Sequence, residues 1–113
     1  MLTIDTLRDY GADVDEGLAR CMNNAAFYLR LIRKAAADER LMQLEAQLQA
    51  GELDSAFETA HTLKGLFANL SLTPLTKPIS EMTELLRSRT ETDYSALLSE
   101  AKVQFAKLCS LMA

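Results

Sequence analysis

The chain has no tryptophan, two prolines, four glycines, two cysteines and one histidine in 113 residues. Each scarcity excludes something. So few breakers leave room for long helices, and the abundance of Ala, Leu, Glu, Gln, Arg and Lys favours them. Cys21 and Cys109 lie far apart and form no C-x-x-C. They are expected as buried small thiols in a reducing cytosol. One histidine cannot furnish the di-iron site that the spacing Glu58-x-x-His61 evokes, because such sites need two of these motifs and two further Glu. No metal is therefore expected. No G-x-x-x-x-G-K-[ST] loop occurs, so the chain is not expected to take phosphate from ATP by itself. No apolar run approaches the roughly 20 residues of a membrane helix, and Met1 to Asp5 lack the basic-then-apolar design of a signal peptide. Positive charge is also short: 12 Lys and Arg face 16 Asp and Glu, a net charge of -4 with a pI near 4.9. That balance argues against a nucleic-acid partner. A cytoplasmic protein with no membrane partner is expected.

What is present is a helical repertoire. Hydrophobic residues make up 49% and charged residues 25%, a soluble globular mix expected to form one domain over residues 1–113. Alternating strand patterns and Asn-Gly or Asp-Gly hairpin signals are missing. Short amphipathic pieces are read at 3–9, ended by Gly11, and from Asp13 to about Arg20. Asn23 or Asn24 then caps a helix to about Ala36, with Phe27, Leu31 and Ala35 on one side. Four longer helices follow at 38–50, 53–70, 73–89 and 92–111. Short connections make consecutive helices antiparallel. The expected fold is all-α: an antiparallel up-down four-helix bundle with additional short N-terminal helices over one end or side. Thr73 should cap its helix with Pro74 at the first position. Pro78 should leave that first turn kinked or 3₁₀, with regular helix only beyond it. Met22, Met42 and Met82 read as core fillers. Arg30, Arg33 and Lys34 read as a solvated face, and an apolar seam on the 24–36 helix could support a dimer, although a monomer is expected.

The informative segment is the helix at 53–70. Leu53, Ala56, Phe57, Ala60, Leu63, Phe67 and Leu70 follow the three-four rhythm of a buried stripe. At about 100° per residue, His61 falls beside that stripe, toward solvent. Lys64 at i+3 and Gly65 at i+4 are its neighbours, and Ala68 continues the same side. Imidazole is a nucleophile near neutral pH. A neighbouring ammonium offsets the charge of an attached phosphoryl group. A mid-helix glycine, costing about 1 kcal/mol relative to alanine, leaves room for a partner's active site.

The string A-H-T-L-K-G-L-F-A-N-L-S-L at 60–72 resembles the signature of histidine-containing phosphotransfer (HPt) domains. The resemblance implies a helical phosphoryl carrier in a phosphorelay, not an enzyme in its own right. His61 would be the phospho-acceptor, Lys64 would stabilise the phosphoryl group, and Gly65 would give access. The implied partners are a response regulator receiver domain, a hybrid sensor histidine kinase, or both. No cofactor is expected on this chain, Mg²⁺ belonging to the partner receiver. The partner should dock over the flank of the 53–70 helix, touching Asp54, Glu58, Lys64, Gly65 and Ala68. The chain departs from the pattern at Ala68 and Ser71, where many members have Gly. It departs again at Thr83, near which many have a glutamine or other polar residue facing the histidine, so a hydrogen bond from there is not expected. The alternative is a helical interaction domain with this bundle but no phosphotransfer.

Overall fold

The computed structural model describes residues 1–112. Those residues form helices α1 (Ile4–Tyr10), α2 (Val14–Arg20), α3 (Ala25–Ala36), α4 (Arg40–Gln49), α5 (Leu53–Asn69), α6 (Thr73–Arg87) and α7 (Ser95–Ser110), with no strand among them. The ends follow local chemistry. Thr3 and Thr6 make a reciprocal capping box at α1, and Gly11 closes it in the left-handed conformation with φ of 112°. Asp13 and Asn24 cap α2 and α3 through their side chains. Asp38 lies one residue outside the α4 N-cap, Glu39, and its carboxylate accepts from the Arg40 amide at 2.8 Å.

Helices α4 to α7 form the bundle. Connections of three residues after α4 and after α5 force antiparallel neighbours. Asp54 at the start of α5 bonds Arg89 just past the end of α6, and Lys102 of α7 reaches Glu45 of α4 at 2.7 Å to close the ring. Ala56, Ala60, Leu63 and Phe67 of α5 meet Leu75, Ile79, Met82 and Leu86 of α6 and Leu98, Ala101 and Leu108 of α7, all buried. The rings of Phe67 and Phe105 sit 6.3 Å apart in this core.

The N-terminal helices grip the far end of α5. Its last carbonyls cannot be satisfied within the helix. Arg20 donates to the Ala68 carbonyl at 2.5 Å, and the buried Tyr28 hydroxyl donates to the Leu70 carbonyl at 2.7 Å. The Asp13 amide donates to the Ser71 carbonyl, and the Ser71 hydroxyl donates to Glu16. Gly17 is required here, since a Cβ on it would lie 2.4 Å from the Tyr28 ring.

Several expectations need correction. Helix α6 is regular α from Thr73 through Pro78. Pro78 forfeits only its own bond to the Pro74 carbonyl, and the buried stripe of Leu75, Pro78, Ile79 and Met82 holds the turn against α5 and α7. Leu72, not Thr73, is the N-cap, so Pro74 is the second helical residue. Helix α7 begins at Ser95 and not near Thr92, because Asp93 accepts from the Ser95 amide at 2.9 Å and defines a later start. The buried side of α3 is Tyr28, Ile32 and Ala35, while Phe27 is exposed under Arg30. Met22 and Met42 are exposed, and only Met82 of that trio fills the core. Both thiols are free, with Cys21 buried and Cys109 half-buried. No helix among the described residues is long and apolar enough to cross a membrane.

Candidate functional site

His61 stands in the ninth position of α5, an uninterrupted helix of 17 residues, about 25 Å long. Its backbone is therefore rigidly placed. Ala60 and Leu63 beside it are fully buried, while His61 itself is exposed. The one-residue offset from the core stripe does this, as the sequence pattern required. One turn on, Gly65 is exposed as well, and a Cβ built on it would meet nothing within 4 Å. No internal contact demands that glycine, in contrast to Gly17. Ala68 continues the line and is half-buried, its carbonyl already held by Arg20. The line His61, Gly65, Ala68 is thus a shallow strip with small side chains above the imidazole.

The ring does not stand alone. Phe57, one turn before His61, stacks on it with centroids 5.6 Å apart and planes 25° apart. Sequence periodicity assigns Phe57 to the buried stripe, but it is only half-buried and forms the floor under the imidazole. Two cations cover the phenyl ring in turn: the guanidinium carbons of Arg87 and Arg89 each lie 5.1 Å from its centroid. Arg89 also bonds Asp54, which places that expected surface residue at the foot of the helix, seven residues before His61. Glu58 is exposed at i−3, and its carbonyl accepts from Thr62.

Lys64 reaches across to α6, where its ammonium is 3.5 Å from the Glu84 carboxylate. The second Glu84 oxygen is 3.3 Å from Arg87 Nε. The Arg87 guanidinium, with Lys64 behind it, holds the Glu84 carboxyl below the usual carboxylate range. Two cations, Arg87 and Arg89, therefore lie over the phenyl ring on which the imidazole stacks, and a third, Lys64, stands one turn along α5 from His61, in a chain of net charge -4. Thr83 is fully buried and donates to the Ile79 carbonyl at 2.7 Å, so its hydroxyl is spent within its own helix.

The structure brings His61, Lys64, Gly65, Glu58 and Ala68 onto one flank of α5, with Asp54 at its N-terminal end. Sequence reasoning missed Phe57, Glu84, Arg87 and Arg89. Phe57 carried a signal, being four residues before the histidine. The other three depend on how α6 is registered against α5. No three His, Cys, Asp or Glu side chains among the described residues converge as metal ligands.

The Hpt domain family model matches residues 30–111. No curated protein and no solved structure matches the chain. The matched segment runs from the middle of α3 to the end of α7 and contains the whole four-helix bundle, whereas α1 and α2 lie outside it. With 82 of 113 residues matched, the chain belongs to the Hpt domain family, the phosphocarrier modules of two-component phosphorelays.

Proposed function

We propose that His61 is the phospho-acceptor and that the protein relays a phosphoryl group from a sensor kinase or a receiver aspartate to another receiver aspartate. The observation that carries this is an exposed imidazole on a rigid helix with unfilled space one turn above it, at Gly65. In the transfer, the lone pair of an unprotonated ring nitrogen attacks the phosphorus of an aspartyl phosphate. The N–P bond forms as the acyl O–P bond breaks, and that electron pair returns to the aspartate carboxylate. The proton on the second ring nitrogen is free to leave to water.

Phe57 and the helix backbone restrict the ring's orientation, which lowers the entropic cost of in-line attack. Lys64 supplies a mobile positive charge for the phosphoryl oxygens. Mg²⁺ and most of the transition-state stabilisation come from the receiver, so no cofactor is assigned to this chain. The partner docks over the α5 flank from Asp54 and Glu58 to Ala68, with an edge from α6, in the small transient interface typical of signalling encounters. The protein acts as a monomeric carrier between partners.

A specific feature favours a second reading, an interaction domain without transfer: Thr83 leaves the imidazole without the polar neighbour many family members place there. One assay separates the two. The protein is incubated with phosphorylated receiver or autophosphorylated kinase, and acid-labile, alkali-stable phosphate is measured. Label on wild type that vanishes in His61→Gln is the expected result. Absence of label from every donor overturns the transfer reading, and label that persists in His61→Gln overturns the assignment of His61.

A further inference from the structure

We propose that Glu84 is a positioning residue that sets how tightly the protein holds its phosphoryl group, by competing with that group for the ammonium of Lys64. The inference rests on His61 being the phospho-acceptor. It concerns where the equilibrium lies and not whether transfer occurs.

The geometry is a chain of shared partners. Lys64 Nζ lies 3.5 Å from one Glu84 oxygen, and Arg87 Nε lies 3.3 Å from the other. Arg87 is itself held over the Phe57 ring at 5.1 Å, and Phe57 stacks on His61. Glu84 is thus anchored on α6 by a guanidinium with a second contact of its own. Lys64 has no such second anchor among the described residues, and it sits on a flexible four-carbon stem. When partners must be exchanged, Lys64 is the one free to move.

Phosphorylation forces that exchange. A phosphoryl group brings a charge of roughly -1.5 to -2 and three acceptor oxygens. It arrives one helical turn from Lys64, within reach of the i+3 side chain. Two anions then face one mobile cation. Lys64 swings from the carboxylate to a phosphoryl oxygen, while Glu84 keeps Arg87. No covalent bond changes in this step. The phosphorylated form loses one ion pair and gains a nearby like charge, so it lies higher in free energy than it would with a neutral residue at 84. The resting protein is correspondingly stabilised. Glu84 therefore biases the carrier toward handing its phosphoryl group on and against storing it.

The test is the equilibrium partition of phosphoryl group between this protein and one receiver domain that labels the wild type. It is measured for wild type, Glu84→Gln, Lys64→Gln and the double variant. Glu84→Gln is expected to shift the partition toward the phosphorylated carrier by roughly two- to fivefold at low salt, the range of an exposed ion pair. The shift should shrink in about 1 M salt, where screening acts within about 3 Å. It should also shrink in the Lys64→Gln background, as a double-mutant cycle requires of groups that act through each other. Melting temperatures show that the variants are folded, and a structural role alone would not produce a salt-dependent partition. An unchanged partition in folded Glu84→Gln overturns the proposal, as does a shift of undiminished size in Lys64→Gln. Failure of the wild type to take label even from phosphoramidate, a donor too small to need docking, overturns the His61 reading instead.

Discussion

Filling the space above His61 should make the protein more stable and less active. Gly65 has ordinary helical geometry in the middle of α5, and a Cβ there meets nothing within 4 Å beyond the local helix backbone. Glycine in such a position costs about 0.8–1 kcal/mol relative to alanine, chiefly through the freedom it keeps in the unfolded chain. Unfolding entropy is about 2.1 cal/mol/K per residue near 60 °C, so 1 kcal/mol corresponds to about 4 °C for a chain of this length. Gly65→Ala should therefore raise Tm by about 3–4 °C. Gly65→Gln, with another good helix former, should also raise it, by somewhat less. The activity should move the other way. A methyl group occupies part of the approach to the imidazole and slows phosphotransfer from a receiver, whereas the longer glutamine blocks it by tenfold or more. Labelling by phosphoramidate should remain near the wild-type rate in both variants, because a small donor does not need the cleared strip. Calorimetry and a transfer time course check both signs. A fall in Tm would refute the claim that the position is open. Unimpaired transfer in Gly65→Gln would refute the claim that the glycine exists for access.

Phe57→Ala removes the floor under His61 and the seat of two guanidinium groups. A cost of about 1.5–3.5 kcal/mol is expected from one aromatic pair and two exposed cation–π contacts, read by urea denaturation, together with slower transfer as the ring loses its preferred orientation. Tyr28→Phe leaves the Leu70 carbonyl without its buried donor and should cost about 1–3 kcal/mol, while Arg20→Ala, whose carbonyl partner water can reach, should cost less than about 1 kcal/mol. The same tyrosine has a pH signature: burial, with the nearby Cys21, Asp13 and Glu16 adding to it, pushes its phenol up to about 12 from an ordinary 10. A raised folded-state value means that the stabilisation is complete below pH 10 and is lost as pH climbs through 12. Alkaline unfolding should steepen in that window for wild type and be shallower there in Tyr28→Phe.

The long elements were legible because each buries a stripe at helical period and is punctuated by chemistry with a local cause. Gly11, Asp13, Asn24 and Gly51 all sit at or within a residue or two of helix ends. The exposure of His61 followed from the same arithmetic, since Ala60 and Leu63 are buried and it lies to their side. What failed to show was anything set by the partner of a side chain. Tyr28 faces inward, where periodicity favoured Phe27, because its hydroxyl finds the Leu70 carbonyl 42 residues away. Pro78 does not interrupt the α-helix because the lost bond falls early in α6 and the residue is packed. Glu84 and Arg87 join the site only through the register of α6 on α5, which no single-helix pattern contains.

That last dependence links the fold to the chemistry. The strip above His61 ends at Ala68, where α5 is running out of intrahelical hydrogen bonds and its terminal carbonyls seek outside donors. In this chain the amides of Ser71 and Leu72 supply some, to Ala68 and Phe67, and the N-terminal helices add Arg20 at Ala68, Tyr28 at Leu70 and the Asp13 amide at Ser71. Ser71 adopts φ of 58°, a left-handed value that disfavours side chains other than Gly and Asn. Its hydroxyl bond to Glu16 and its buried position offset that cost. A glycine at 71 would reach the same backbone shape without help, so the serine makes the turn into α6 depend on α2. The register of α6 then fixes Glu84 and Arg87 beside Lys64. Helix α2, outside the segment matched by the family, is thus tied to the strained turn that leads into the helix carrying Glu84 and Arg87.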